Sequence, residues 1–208
     1  MRSILVVNPK GGCGKSTVAT NLASYYAVWG VPTTLVDYDS QHSSLEWLQA
    51  RPETYEPISG VDATNGHAGY PSGTERALMD APAHIDNKEV NRLINKADVV
   101  LIPVLPSAMD IRAAAHFIGD LLVQGKIREQ RKRVGVIANR VRENTIVYGQ
   151  LTQFLKGVKI PFVTSLRDTQ NYIRAAERGV GIFEFAPYMV QQDLEQWRPL
   201  INWVEGKR

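Results

Sequence analysis

Lys10-Gly11-Gly12-Cys13-Gly14-Lys15-Ser16-Thr17 is the stretch that decides how this chain reads. The apolar run Ile4-Leu5-Val6-Val7 stands before it and a helical pattern follows it. A strand, a glycine-rich loop closing in Gly-Lys-Ser and then a helix form the context of a phosphate-binding P-loop. Glycines are needed because backbone N–H groups must curl closely around phosphate oxygens, where a Cβ would obstruct them. Lys15 brings positive charge to β- and γ-phosphates, and the Ser16 hydroxyl is offered to Mg²⁺. The helix starting there aims its positive end at the same anion. A second lysine, Lys10, opens the loop where phosphate cradling itself asks only for glycine.

The rest of the chain narrows the class. Its 208 residues fit one domain, 1–208, and 44% hydrophobic with 22% charged residues is ordinary globular composition. No apolar run approaches the ~20 residues of a membrane span, and Met1-Arg2-Ser3 enters a strand at once, without a signal-peptide pattern. The one cysteine, Cys13, excludes an intrachain disulfide and a multi-cysteine cluster within one subunit. A cytoplasmic address is the default expectation. Charge is lopsided: residues 1–110 hold 8 Lys/Arg against 12 Asp/Glu, and residues 111–208 hold 16 against 9. That asymmetry reads either as a surface for an anionic partner or as solvated helix faces.

Apolar runs alternate with helical periodicity along most of the chain. Strands are expected at 3–8, 33–38, 76–80, 98–104, 133–139 and 160–164, with a weaker one near 57–61. Helices are expected at 15–29, 43–50, 86–97, 110–124, 143–156, 168–178 and 188–204. Continuous runs such as Val99-Val100-Leu101-Ile102 suit strands covered on both faces. The expected fold is therefore α/β and doubly wound: a mostly parallel sheet of about seven or eight strands with helices on both faces. Asp110 and Asp168 read as helix N-caps, Gly30, Gly125 and Gly179 as stops, and Pro199 as a kink or break in the last helix. Residues 51–75 are the least regular segment and read as a surface excursion.

Two further strand ends carry acidic residues. The second strand closes at Asp37-Tyr38-Asp39-Ser40-Gln41, placing two carboxylates two residues apart, and Ala77-Leu78-Met79 closes at Asp80-Ala81-Pro82. An acidic residue ending a buried strand in a P-loop protein is the expected Mg²⁺-side carboxylate. A lone strand-end Asp is more often a turn or cap residue. Beside the P-loop, the three form a nucleotide–metal constellation. Cys13 reads as a small side chain fitting a crowded turn, with a reactive thiol as the alternative.

With these residues in view the chain resembles the ParA/MinD group of deviant Walker-A ATPases, particularly the small ParA proteins lacking an N-terminal DNA-binding extension. The resemblance rests on the Lys10–Thr17 loop, Asp37–Gln41, Asp80-Ala81-Pro82, Ile102–Ser107 with Asp110, and Asn139-Arg140. Ser40 departs from the family's usual proline, and residues 51–75 carry no family signature. The resemblance implies ATP and Mg²⁺ as cofactors and a homodimer in the ATP state. In that dimer Lys10 would reach the nucleotide of the partner subunit. Lys15 with the amides of Gly11, Gly12, Cys13, Gly14, Ser16 and Thr17 would hold ATP, and Ser16 would ligate the metal. Asp37 and Asp80 would act through metal-bound waters, Asp39 would activate the attacking water, and Asn139 would read the adenine edge.

It further implies slow hydrolysis until an adaptor protein stimulates it, non-specific DNA binding over the nucleoid, and a cargo such as a plasmid, chromosome or carboxysome-type body. Arg167, Arg174, Arg178 and Arg198 are the expected DNA contacts, within a basic set that includes Lys126, Arg128, Arg131, Lys132, Arg133 and Arg208. The competing expectation is a MinD-like membrane-associated switch using the tail 194–204, which Pro199 interrupts. A dethiobiotin-synthetase-like ligase does not explain Lys10. A nitrogenase-type iron protein needs two cysteines per subunit, and this chain has one.

Overall fold

The computed structural model describes residues 1–123 and 132–207. Seven strands form one sheet: β1 (Arg2–Val6), β2 (Thr33–Asp37), β3 (Ser59–Asp62), β4 (Arg76–Asp80), β5 (Val99–Val104), β6 (Arg133–Val141) and β7 (Phe162–Arg167). Their order across the sheet is β3-β2-β4-β1-β5-β6-β7, and neighbouring strands run parallel throughout. The helices are α1 (Lys15–Val28), α2 (Ser43–Gln49), α3 (Asn87–Lys96), α4 (Ala108–Val123), α5 (Ile146–Gly157), α6 (Gln170–Glu177) and α7 (Pro187–Glu205), with a 3₁₀ turn at Ile182–Glu184.

Strand alternation splits the core into two layers. Leu5, Val7, Met79, Val100 and Ile102 face α3, α4 and α5, where Leu93, Phe117, Ile118 and Leu155 meet them. Ile4, Val6, Leu78 and Leu101 face the other side, packing with Val18 and Leu22 of α1 and with Trp197, Leu200 and Val204 of α7. Helices on both faces bury the central strands completely, which explains their unbroken apolar runs. The loops leaving β1, β2, β4 and β6 therefore gather at one end of the sheet, around the P-loop.

Several expected details shift. Asp110 does not begin α4: it is the third residue of that helix, and its N–H donates to Ser107 Oγ at 3.1 Å, so Ser107 is the cap. Thr169, rather than Asp168, caps α6 by accepting from Asn171 N–H, while Asp168 receives Arg142. α7 runs through Pro199, which is exposed, without a break there; the one non-helical residue within α7 is Val190 (φ −129°). Gly30 and Gly179 take positive φ at helix ends as expected, whereas Gly125, with Lys126, Arg128, Arg131 and Arg208, lies outside the described residues. The weak strand is real: β3 forms the sheet's edge, and its exposure explains the missing apolar run.

The 51–75 segment is tied down at several points. Arg51 pairs with Glu184 at 2.5 Å with both side chains buried, and a Cβ on Gly179 would stand 2.3 Å from Arg51 N. Further along, Arg92 and Lys96 both donate to the Gly66 carbonyl, pinning the loop beyond β3 to α3.

Candidate nucleotide site

The P-loop follows β1 directly, and α1 begins at Lys15. Gly12 (φ 74°) and Gly14 (φ 92°) occupy the left-handed region, the conformation for which the loop needs glycine. Two buried asparagines hold its ends. At the entrance, Asn8 Oδ1 accepts the Lys10 N–H at 2.9 Å and Asn8 Nδ2 donates to the Pro103 carbonyl of β5 at 2.7 Å. At the exit, Asn139 Nδ2 donates to the Cys13 carbonyl at 2.8 Å. Inside, the buried Lys15 ammonium contacts the Lys10 carbonyl at 3.4 Å. The Cys13 thiol donates to that same carbonyl, and burial pushes its pKa up; the thiol is packed rather than activated.

The acidic residues divide their labour differently from their spacing. The chain leaves the strand at Asp37, so alternation stops there and the two carboxylates do not share a face. Asp37 is fully buried and accepts three backbone N–H groups: Asp39 at 2.9 Å on Oδ1, then Ser44 at 3.0 Å and Leu45 at 3.3 Å on Oδ2. It anchors the start of α2. Asp39 is half-buried and spans two loops, accepting Gln41 N–H at 3.0 Å and Ala83 N–H at 3.1 Å. Asp80 accepts the Ser44 hydroxyl at 2.5 Å on Oδ2. Its other oxygen, Oδ1, is buried with no protein partner.

That orphaned oxygen is the observation that bears on a metal. Burial pushes the Asp80 carboxyl up to about 6, against the Ser44 and Ser16 hydroxyls that favour its charge. Burial also raises Asp37, opposed by its backbone donors. Two buried carboxylates near Lys15 and Ser16, one with an unused lone-pair face, fit a hydrated divalent cation. Among the described residues no group of three or more His, Cys, Asp and Glu could cage a metal, so protein and phosphate oxygens with water would have to share its shell.

The remaining expected residues fall into two sets. Asn139 has both polar ends engaged, Nδ2 with Cys13 and Oδ1 with the Arg140 N–H at 3.0 Å. Arg167 is spent on the buried Asp193, with Nε to Oδ1 at 2.5 Å and Nη2 to Oδ2 at 3.1 Å, and on Gln192. Arg174, Arg178 and Arg198 are exposed. Asn8, Ser44 and Ala83 were not expected at the site. No local signal marks them, because each works through a partner distant in sequence.

A parallel sheet whose first loop is a P-loop, with strand-end carboxylates beside it, defines a P-loop nucleotide-binding protein. Residues 4–182 match the CobQ/CobB/MinD/ParA nucleotide binding domain, and the chain belongs to that family. Among curated relatives it is 25% identical over 190 residues to the Maintenance of carboxysome distribution protein A of Halothiobacillus neapolitanus, covering 88% of this chain and 87% of that protein. It is 27% identical over 224 residues to the Chromosome-partitioning ATPase Soj of Thermus thermophilus, covering 90% and 89%. Among solved structures, MinD of Aquifex aeolicus superposes with TM-score 0.71 at 19% identity, covering 97% of this chain and 98% of that one. An ATP complex of a McdA variant from Cyanothece gives TM-score 0.70 at 16% identity, covering 100% and 97%.

Proposed function

We propose that this protein is an ATPase whose ATP-bound form dimerises, binds DNA without sequence preference, and positions or segregates an intracellular cargo. The observation that carries this reading is the contrast between its two P-loop lysines. Lys15 is buried at the start of α1, within the loop that would hold the phosphates. The Lys10 ammonium is half-exposed at the loop entrance, and no hydrogen bond or ion pair among the described residues engages it. A cation left free beside a phosphate cradle suits the nucleotide of a second subunit, where it offsets the crowding of two anions.

Within one subunit the P-loop amides and Lys15 bind the phosphates of ATP, and Ser16, Asp80 and Asp37 position Mg²⁺, the carboxylates through water. When bound, Mg²⁺ would supply charge neutralisation to the phosphates. Asp39 orients the attacking water. Exposed Arg174, Arg178 and Arg198 are the DNA contacts, together with Arg167, which also pairs with Asp193. The relatives' partition and carboxysome-distribution roles support a positioning cargo read through an adaptor, in a cytoplasmic, nucleoid-associated protein. Against the MinD-like membrane reading stands the burial in the core of Trp197, Leu200, Ile201 and Val204 of the tail.

Light scattering with and without Mg-ATP, on the protein and on Lys10→Ala, tests the first half. The wild type should double in mass with ATP while Lys10→Ala binds ADP and stays monomeric; a mutant that still dimerises refutes the sandwich. Binding to an arbitrary duplex tests the second half. Affinity should appear only with ATP and fall with salt, with a log–log slope of about 0.9 per phosphate contact. Salt-independent or ATP-independent binding removes DNA from the proposal.

A further inference from the structure

Asn139 is 4% exposed, at the end of β6 where the register against β7 shifts between Ala138 and Val141. The residue after it, Arg140, holds the left-handed conformation at φ 50°. That turn brings the Arg140 N–H back onto Asn139 Oδ1 and fixes which way the carboxamide faces. With the oxygen so held, Nδ2 points at the P-loop and donates to the Cys13 carbonyl.

The consequence lies in the Cys13–Gly14 peptide. A trans peptide is planar, with its C=O and N–H on opposite sides. Drawing the Cys13 carbonyl outward onto Asn139 therefore turns the Gly14 N–H inward, toward the hollow where the P-loop holds an anion. The packing is close enough to dictate the residue: a Cβ on Gly14 would lie 2.1 Å from Asn139 Nδ2. Asn8 performs the matching task at the entrance through the Lys10 N–H.

The geometry points to Asn139 as a positioning residue that sets the phosphate-binding shape of the P-loop, acting on the phosphates of any nucleotide rather than on the base. This inference rests on the nucleotide-binding reading of the same site. It separates from an adenine contact because the two roles respond differently to a ligand without a base.

The test measures binding of ADP, GDP and inorganic tripolyphosphate, with Mg²⁺, to the wild type, Asn139→Ala and Asn139→Asp. Both substitutions remove the Nδ2 donor, and Asn139→Asp keeps the side-chain shape should Asn139→Ala fold poorly. Stranding the Cys13 carbonyl should weaken ADP and tripolyphosphate by the same factor, about tenfold or more, and leave the ADP-to-GDP preference unchanged. Weakened ADP with tripolyphosphate untouched, or a collapsed ADP-to-GDP preference, overturns the inference in favour of base reading. Wild type that binds neither ADP nor tripolyphosphate overturns the nucleotide reading itself.

A second readout separates positioning from general destabilisation. Cys13 is the chain's one cysteine and is fully buried in the loop, so its labelling by a thiol reagent reports loop opening. Labelling should accelerate by about tenfold in Asn139→Ala, since local opening governs access to a buried group. It should stay near the wild-type rate in Leu93→Ala, which damages the core under α3 instead. Equal acceleration in both variants refutes a specific hold on the P-loop.

Discussion

Ser44 is the hinge of the acidic cluster, and replacing it with alanine gives the most quantitative test of how that cluster is held. Its hydroxyl donates to Asp80 Oδ2 at 2.5 Å, while its N–H donates to Asp37 Oδ2 at 3.0 Å. Ser44→Ala removes only the first bond. Asp80 Oδ1 already has no hydrogen-bond partner, so Oδ2 then loses its own, and the nearby Ser16 hydroxyl is what still favours the charge. A hydrogen bond to a buried carboxylate contributes about 1.5–3 kcal/mol, one to a neutral acid about 1 kcal/mol.

Asp80 titrates at about 6 in the folded protein, above an ordinary aspartate. The native state therefore binds its proton more tightly than the unfolded chain does. Stability falls as pH rises between about 4 and about 6, by roughly 3 kcal/mol for this group. Ser44→Ala should cost about 2 kcal/mol at pH 8, where Asp80 is ionised, and about 1 kcal/mol at pH 5, where it is mostly protonated. The difference of about 1 kcal/mol is the same as Asp80 titrating about 0.7 pH unit higher in the mutant. Urea unfolding of nucleotide-free protein in chelator, followed by fluorescence of the buried Trp47 and Trp197, measures both values. Equal losses at the two pH values, or a larger loss at pH 5, would refute the reasoning.

Two further outcomes are expected. Asp39→Ala should lower ATP turnover by at least about a hundredfold and leave an ATP-bound dimer that persists in light scattering; unchanged turnover removes Asp39 from the chemistry. Glu184→Gln keeps the shape of the Arg51 partner but strands a buried guanidinium, at a cost of about 3–5 kcal/mol. Thermal unfolding should then shift down by about 10 °C, and a shift within a couple of degrees would show that water or the Gly179 and Glu56 carbonyls satisfy Arg51 alone.

What the sequence made legible follows from how far each interaction reaches. The P-loop was readable because its glycines, Lys15 and Ser16 act within eight consecutive residues, and the buried strands because covering on both faces leaves apolar runs. β3 was faint because an edge strand with exposed residues keeps no such run. Asn8, Ser44 and Ala83 were invisible: their partners Pro103, Asp80 and Asp39 lie 95, 36 and 44 residues away. Asp37 and Asp39 were legible as a pair, but their division of labour depends on where β2 ends, a boundary that β4 and α2 set through space.

Those long-range bonds also determine how the site responds as a unit. Asp39 holds the Ala83 N–H, a Cβ on Gly11 would stand 3.8 Å from the Ala83 and His84 side chains, and the His84 N–H donates to the Pro9 carbonyl at 3.0 Å. The loop after β2 is thus joined to the loop after β4, and that loop to the P-loop entrance beside Lys10. The carboxylate assigned to the attacking water is consequently the one whose position depends on all three loops at once. Asp37 and Asp80 are both tied to Ser44 at the start of α2, and Asp37 is joined to the same loop through the Asp39 N–H. In the proposed reading a bound partner would complete that loop geometry, while the two buried asparagines hold the ends of the P-loop.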